Sequence, residues 1–163
     1  MKEYIHGGDI YRHPDVLDFS ANINPLGTPP AVVQAAKDSM EWICHYPDAC
    51  QEKLKQALAA YEQVPVEWLI CGNGAAELIF ALVQAVKPKR ALVMAPTFAE
   101  YAQALEAVGC EVDREILKKE DGFTLQRTIL EKLQKEDLQM VFLCNPNNPT
   151  GILINPKLLL EIV

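Results

Sequence analysis

The chain has 163 residues, half of them hydrophobic and 23% charged, with a net charge of −7. That balance describes a globular protein with enough chain for a core, and it excludes a disordered one. The acidic surplus, with no Lys/Arg cluster, excludes a nucleic-acid surface, and no apolar run approaches the roughly 18 residues of a membrane span. Five cysteines, an odd number without Cys-x-x-Cys, imply neither a disulfide framework nor a zinc site. The start, Met1 to Gly8, lacks the apolar core of a signal peptide. A reduced, cytoplasmic protein is expected.

Residues 1–28 have weak periodicity and carry Gly7, Gly8, Pro14, Pro25 and Gly27, which suits an extended arm. Thr28-Pro29-Pro30 opens a helix with Thr28 as N-cap, and Val32, Val33, Ala36, Met40 and Ile43 form its apolar face. Tyr46-Pro47-Asp48 breaks it, and a second helix spans about 49–63, with Leu54, Leu58 and Tyr61 on one side.

From Pro65 the pattern becomes alternating strands and helices. Trp68 to Cys71 is expected as a short strand, Gly72-Asn73-Gly74 as a tight turn, and 75–86 as a helix, apolar nearly all round and therefore buried. Ala91 to Ala95 is a fully apolar strand. Thr97 and Glu100 have the spacing of a capping box for the next helix, which ends at Gly109. Glu111 to Leu117 is a strand, Asp121-Gly122 a turn, Thr124 to Lys135 a helix, and Met140 to Cys144 another strand. Pro156 to Val163 opens a helix that stops without a cap, so the chain is expected to be a fragment. Apolar strands separated by helices imply an at least partly parallel sheet covered on both faces.

Two segments carry candidate chemistry. The strand at 140–144 empties into Asn145-Pro146-Asn147-Asn148-Pro149-Thr150-Gly151, placing amides at its carboxyl end, where ligands bind in open α/β sheets. Pro149 biases Asn148 toward an extended backbone. Gly72-Asn73-Gly74-Ala75-Ala76-Glu77 joins a presumptive strand to a helix whose free amides attract an anion. A glycine-rich turn without a ligand is the plain alternative. A dinucleotide fingerprint fails: Glu77 stands where its third glycine belongs, and no acidic residue ends the following strand. A phosphate-loop motif fails for want of Gly-Lys-Ser/Thr. His6, His13 and His45 have no metal-site spacing, so no metal is expected. Asn22 and Asn24 suit an Asx-turn, Tyr46 a packing role and Phe98 a helix-start core position, each as readily as a site.

Four motifs in order resemble the N-terminal part of the fold-type I pyridoxal phosphate enzymes of the histidinol-phosphate aminotransferase type: Asn22-Ile23-Asn24-Pro25-Leu26-Gly27, His45-Tyr46-Pro47-Asp48, Gly72 to Glu77, and Asn147 to Gly151. Within that group, the opening His6-Gly7-Gly8-Asp9, the run Leu17 to Gly27 and Phe98-Ala99-Glu100-Tyr101 are similar to the threonine-phosphate decarboxylases of the cobalamin pathway.

The resemblance implies a three-layer α/β/α fold. Residues 1–64 would be the arm and helical segment of the small domain and dimer contacts, and 65–163 the first, truncated part of the cofactor-binding large domain. It implies pyridoxal 5′-phosphate held at Gly74, Ala75 and Ala76, with Phe98 stacked on its ring and Asn148 donating to its ring oxygen. Tyr46 would reach the partner's cofactor phosphate in a homodimer, and His6, Gly7 and Asn22 would bind the substrate's phosphate or carboxylate.

The implied reaction is decarboxylation of O-phospho-L-threonine to (R)-1-aminopropan-2-yl phosphate. A histidinol-phosphate aminotransferase and a catalytically silent binding protein of the same fold remain alternatives. The family's cofactor-bearing lysine, its acid at the ring nitrogen and its substrate arginines belong to later motifs. Lys157, the last lysine, lacks that context, so the catalytic residues are expected beyond residue 163 and this stretch alone is expected to be inactive.

Overall fold

The computed structural model describes residues 7–163. The chain divides into two compact units, Met1–Leu69 and Ile70–Val163; His6 lies outside the described residues.

In the first unit, α1 spans Pro30–Asp38 and runs into a 3-10 turn at Ser39–Trp42. Thr28 does not cap it. Pro29 holds the cap position in an extended conformation (φ −54°, ψ 137°), as the residue before a proline prefers, and no side chain bonds the free amides. The expected apolar face finds no cover within the unit: Val32, Met40 and Ile43 are exposed. α2 spans Glu52–Glu62, three residues shorter at its start than expected, because Gln51 is left-handed at φ 54°. Asp48 takes over the capping, its carboxylate accepting from the amides of Cys50 and Glu52 at 3.0 and 2.9 Å. Those bonds hold the Asp48 carboxyl below its ordinary range. Ala59 is the only buried hydrophobic residue among the described ones of this unit.

The expected strand at 68–71 does not form. Val66–Trp68 is a 3-10 turn, and the extended residues after it find no pairing partner among the described residues, leaving Ile70 exposed.

The second unit is a three-layer α/β/α sandwich. α3 spans Gly74–Val86, β1 Arg90–Ala95, α4 Ala99–Ala107, β2 Glu111–Ile116, α5 Ile129–Leu133, β3 Met140–Phe142 and α6 Pro156–Ile162. The sheet is parallel with order β2-β1-β3; Arg90 pairs with Glu111 through Ala95 with Ile116, and Ala91 with Met140 through Val93 with Phe142. β1 is central, and Ala91, Leu92, Val93 and Met94 are buried on both faces. Its side chains alternate between two cores. Leu92 and Met94 pack with Leu117, Leu125, Ile129 of α5, Ile154 and Leu158 of α6. Ala91 and Val93 pack with Val83 of α3, Ala104 and Leu105 of α4, and Cys110.

α3 is less covered than its sequence implied: Val83 is fully buried, but Leu82 and Val86 are half exposed. α4 closes with a Schellman motif, the Cys110 amide donating to Leu105 O and the Gly109 amide to Glu106 O. α5 is much shorter than the expected 124–135. Phe123 is left-handed (φ 58°), and Leu125 is buried from the irregular stretch before the helix begins. At the amino end of the sheet, Arg90 ties the three strands together. It bonds Asp113 of β2 at 3.0 and 3.2 Å and Asp137, before β3, at 2.9 Å.

Candidate functional site

β1 feeds α4, which packs on one face of the sheet, whereas β3 feeds α6, which packs on the other. β1 and β3 are neighbours. Chains leaving adjacent strands in opposite directions open a crevice at the strands' carboxyl ends, the topological switch point where open α/β sheets take ligands. Phe98 lies three residues beyond β1 and Asn148 six beyond β3, on the two lips of this crevice.

Both are partly exposed, and they differ in what holds them. The Phe98 ring sits edge-on to Tyr101 (centroids 5.6 Å apart, 77°), and Tyr101 stacks on Phe142 of β3 at 4.6 Å and 15°. This aromatic row fixes Phe98 from beneath. Burial, and then the neighbouring Cys144, push the Tyr101 hydroxyl up to about 12, so it stays a neutral phenol. The Asn148 backbone N–H donates to Cys144 Sγ at 3.4 Å, while no hydrogen bond engages its side-chain amide among the described residues. A polar side chain on a crevice lip with both amide ends free is available to a ligand.

Asn147 behaves in the opposite way. It is 3% exposed and its side chain is fully employed: Nδ2 donates to Pro96 O and to Thr150 Oγ1, both at 3.0 Å, and Oδ1 accepts from Thr97 Oγ1 at 2.8 Å. Thr97 therefore does not cap α4. Phe98 occupies that helix's cap position without a side-chain cap bond, and the capping box read from Thr97 and Glu100 is corrected. Sequence reasoning missed Asn147 because its partners Pro96 and Thr97 lie some fifty residues away. The only available signal was a second asparagine beside the one singled out.

The Gly72-Asn73-Gly74 turn opens α3 as expected. α3 ends just before β1 begins and packs on it through Val83, Ile79 and Phe80, so it runs back along β1 and its N-terminus points toward the carboxyl end of the sheet. No side chain caps that end, and Gly74 and Ala75 are exposed, with Ala76 partly so. Free amides at the start of a 13-residue helix suit an anion. The Glu77 carboxylate folds back over the turn to accept from the Asn73 amide.

The first unit carries the other expected residues. Tyr46 is fully exposed, so it packs on nothing among the described residues. Asn24 makes the Asx-turn, accepting at Oδ1 from the Leu26 amide at 3.0 Å, while Asn22 is exposed and its side chain is unengaged among the described residues. Gly7 runs against the Ser20 backbone so closely that any Cβ there would collide with the Ser20 carbonyl. The Gly8 amide donates to Ser20 Oγ at 2.9 Å. The structure thus brings Phe98, Asn148 and the start of α3 to one end of one sheet, and sets Gly7, Asn22 and Tyr46 in the other unit. Among the described residues no helix is long and apolar enough to cross a membrane.

This architecture and these motifs recur in known proteins. The chain is 48% identical to threonine-phosphate decarboxylase of Salmonella typhimurium over 165 aligned residues, covering 96% of this chain and 45% of that protein. It is 36% identical to a histidinol-phosphate aminotransferase of Desulfitobacterium hafniense, covering 92% and 43%. The crystal structure of the histidinol-phosphate aminotransferase from Clostridium acetobutylicum superposes with a TM-score of 0.76 at 28% identity, covering 90% of this chain and 42% of that one. The chain thus spans less than half the length of these relatives. The family described as aminotransferase class I and II matches residues 14–163. With that match laid over a switch-point crevice, an uncapped helix start and a free asparagine amide, the chain belongs to the class I and II aminotransferase family.

Proposed function

We propose that the full-length protein is a pyridoxal phosphate-dependent decarboxylase of O-phospho-L-threonine, releasing carbon dioxide and (R)-1-aminopropan-2-yl phosphate. The observation that carries the choice of reaction is the markedly higher identity to the Salmonella decarboxylase than to the Desulfitobacterium aminotransferase. The opening His6-Gly7-Gly8 supports the same choice.

The residues present fit the cofactor. The uncapped amides at Gly74, Ala75 and Ala76 suit its phosphate, the Phe98 ring suits a face of its pyridine, and the unengaged Asn148 amide suits donation to its ring oxygen. When bound, pyridoxal phosphate supplies an electron sink for the pair left behind when a bond to the substrate's α-carbon breaks. This chain's residues bind and orient. His6, Gly7 and Asn22 take the substrate's phosphate or carboxylate. Those contacts would orient the substrate so that its carboxylate is the group lost. In a cytoplasmic homodimer, the exposed Tyr46 reaches the cofactor phosphate of the other copy. Residues 1–64 serve as arm and small-domain segment, and 65–163 as the start of the large domain.

The test supplies O-phospho-L-threonine to the full-length, cofactor-loaded protein with no amino acceptor. Stoichiometric carbon dioxide and aminopropanol phosphate are expected. Turnover of histidinol phosphate only when a 2-oxo acid is added would assign the aminotransferase instead, and failure to retain pyridoxal phosphate would assign a silent relative.

A further inference from the structure

We propose that Thr97 and Asn147 are positioning residues: a buried hydrogen-bonded clamp that sets the distance and angle between Phe98 and Asn148 across the crevice. The proposal rests on the reading of those two neighbours as cofactor contacts.

The clamp joins two loops that share no strand pairing. Asn147 reaches from the loop after β3 to Pro96 O and Thr97 Oγ1 in the loop after β1, and its Nδ2 also takes Thr150 Oγ1 of its own loop. Its backbone is pinned as well, the Asn147 N–H donating to Ile152 O at 2.9 Å and its carbonyl accepting from the Gly151 N–H at 2.6 Å. The orientation of the amide is dictated by its surroundings. Only a donor can face the Pro96 carbonyl, so Nδ2 points there, Oδ1 points to Thr97, and the Thr97 hydroxyl must donate. A buried polar side chain with both amide ends satisfied resists rotation, because any other pose leaves a desolvated group unpaired.

The residues it fastens are the immediate predecessors of the two lip residues. Thr97 precedes Phe98, and Asn147 precedes Asn148. The aromatic row beneath Phe98 and the Cys144 contact to the Asn148 backbone N–H constrain each lip separately. Of the side-chain hydrogen bonds among the described residues, those of Asn147 alone link the loop at 96–98 to the loop at 145–151. Loss of the clamp would leave each loop folded and let the two lips move independently.

The experiment titrates the full-length protein with pyridoxal phosphate. It records the dissociation constant, the pH midpoint of the bound cofactor's visible absorbance and the thermal midpoint. Thr97→Val removes the hydroxyl at nearly constant shape, Thr97→Ser keeps it, and Asn147→Asp places an oxygen against the Pro96 carbonyl. Thr97→Val is expected to weaken binding about three- to tenfold and to shift the pH midpoint, and Thr97→Ser to restore both. Added to Asn148→Ala, Thr97→Val is expected to cost much less than it does alone, since it acts through that amide. Thr97→Val with wild-type affinity and pH midpoint, or with only a lowered thermal midpoint, overturns the proposal, as does full additivity with Asn148→Ala. Should Asn147→Asp not fold, the Thr97 pair decides alone. If Asn148→Ala and Phe98→Ala leave binding untouched, the reading of the site has failed and the clamp's functional role with it.

Discussion

Replacing Asn148 by alanine separates a ligand contact from a structural one. Its side chain bonds nothing among the described residues, so truncation strands no partner inside the protein. Stability is therefore expected to change by no more than about 0.5 kcal/mol, as for an unengaged surface position. The bound state loses one hydrogen bond to a charged oxygen, worth roughly 1.5–3 kcal/mol. That difference corresponds to a drop in pyridoxal phosphate affinity of about 10- to 150-fold. Equilibrium titration of the full-length protein, followed by quenching of intrinsic fluorescence, measures the first quantity, and urea unfolding without cofactor measures the second. Pyridoxal, which lacks the phosphate, serves as internal control. Its affinity should fall by the same factor in Asn148→Ala, because the α3 amides contribute equally to variant and wild type. An unchanged dissociation constant refutes the contact. A stability loss comparable to the binding loss refutes the claim that the amide is free.

Three further outcomes follow from the second unit. Leu92→Ala, at a side chain 1% exposed on the central strand, is expected to destabilise by about 2–5 kcal/mol in urea unfolding. Gly74→Ala meets no atom at its Cβ but must hold φ +83°, so about 1 kcal/mol of backbone strain is expected, with weakened phosphate binding if the turn relaxes. The hydrogen bond from Arg90, then that from Lys135, holds the Asp113 carboxyl at about 2. A depressed pKa contributes stability that is fully present above the unfolded value of about 4 and disappears as pH falls through about 2. Unfolding midpoints should drop across that window, and Asp113→Asn should flatten the drop.

The layered architecture was legible because β1 and β3 are apolar runs and the helices between the strands end in recognisable turns, as at Gly109. What failed did so for physical reasons. Trp68 to Cys71 has strand composition, yet a strand exists only where a partner accepts its ladder, and none does among the described residues. Helix α5 is shorter than the run Thr124 to Lys135 suggested, because Phe123 is left-handed and Leu125 is buried from irregular backbone before the helix begins. Thr97 and Glu100 matched a capping spacing, but the Thr97 hydroxyl found a stronger claim in Asn147, fifty residues on. Local pattern located the crevice-forming segments and singled out Asn148, whereas the choice of Phe98 came from the family resemblance. It had no means of distinguishing the asparagine that is spent on the protein from the one left free.

The alternation along β1 has a consequence for how this protein tolerates change. Leu92 and Met94 belong to one core, Ala91 and Val93 to the other. A single-residue deletion there would exchange the two sets, driving leucine and methionine into space shaped for alanine and valine while leaving the opposite side underfilled. Both helical layers would be disturbed by one lost codon. The loops at 96–98 and 145–151 lie outside that alternation. Variation there alters what the crevice grips while the strand beneath keeps its frame, so chemistry is free to diverge in the loops while the barrier to change stays in the strand.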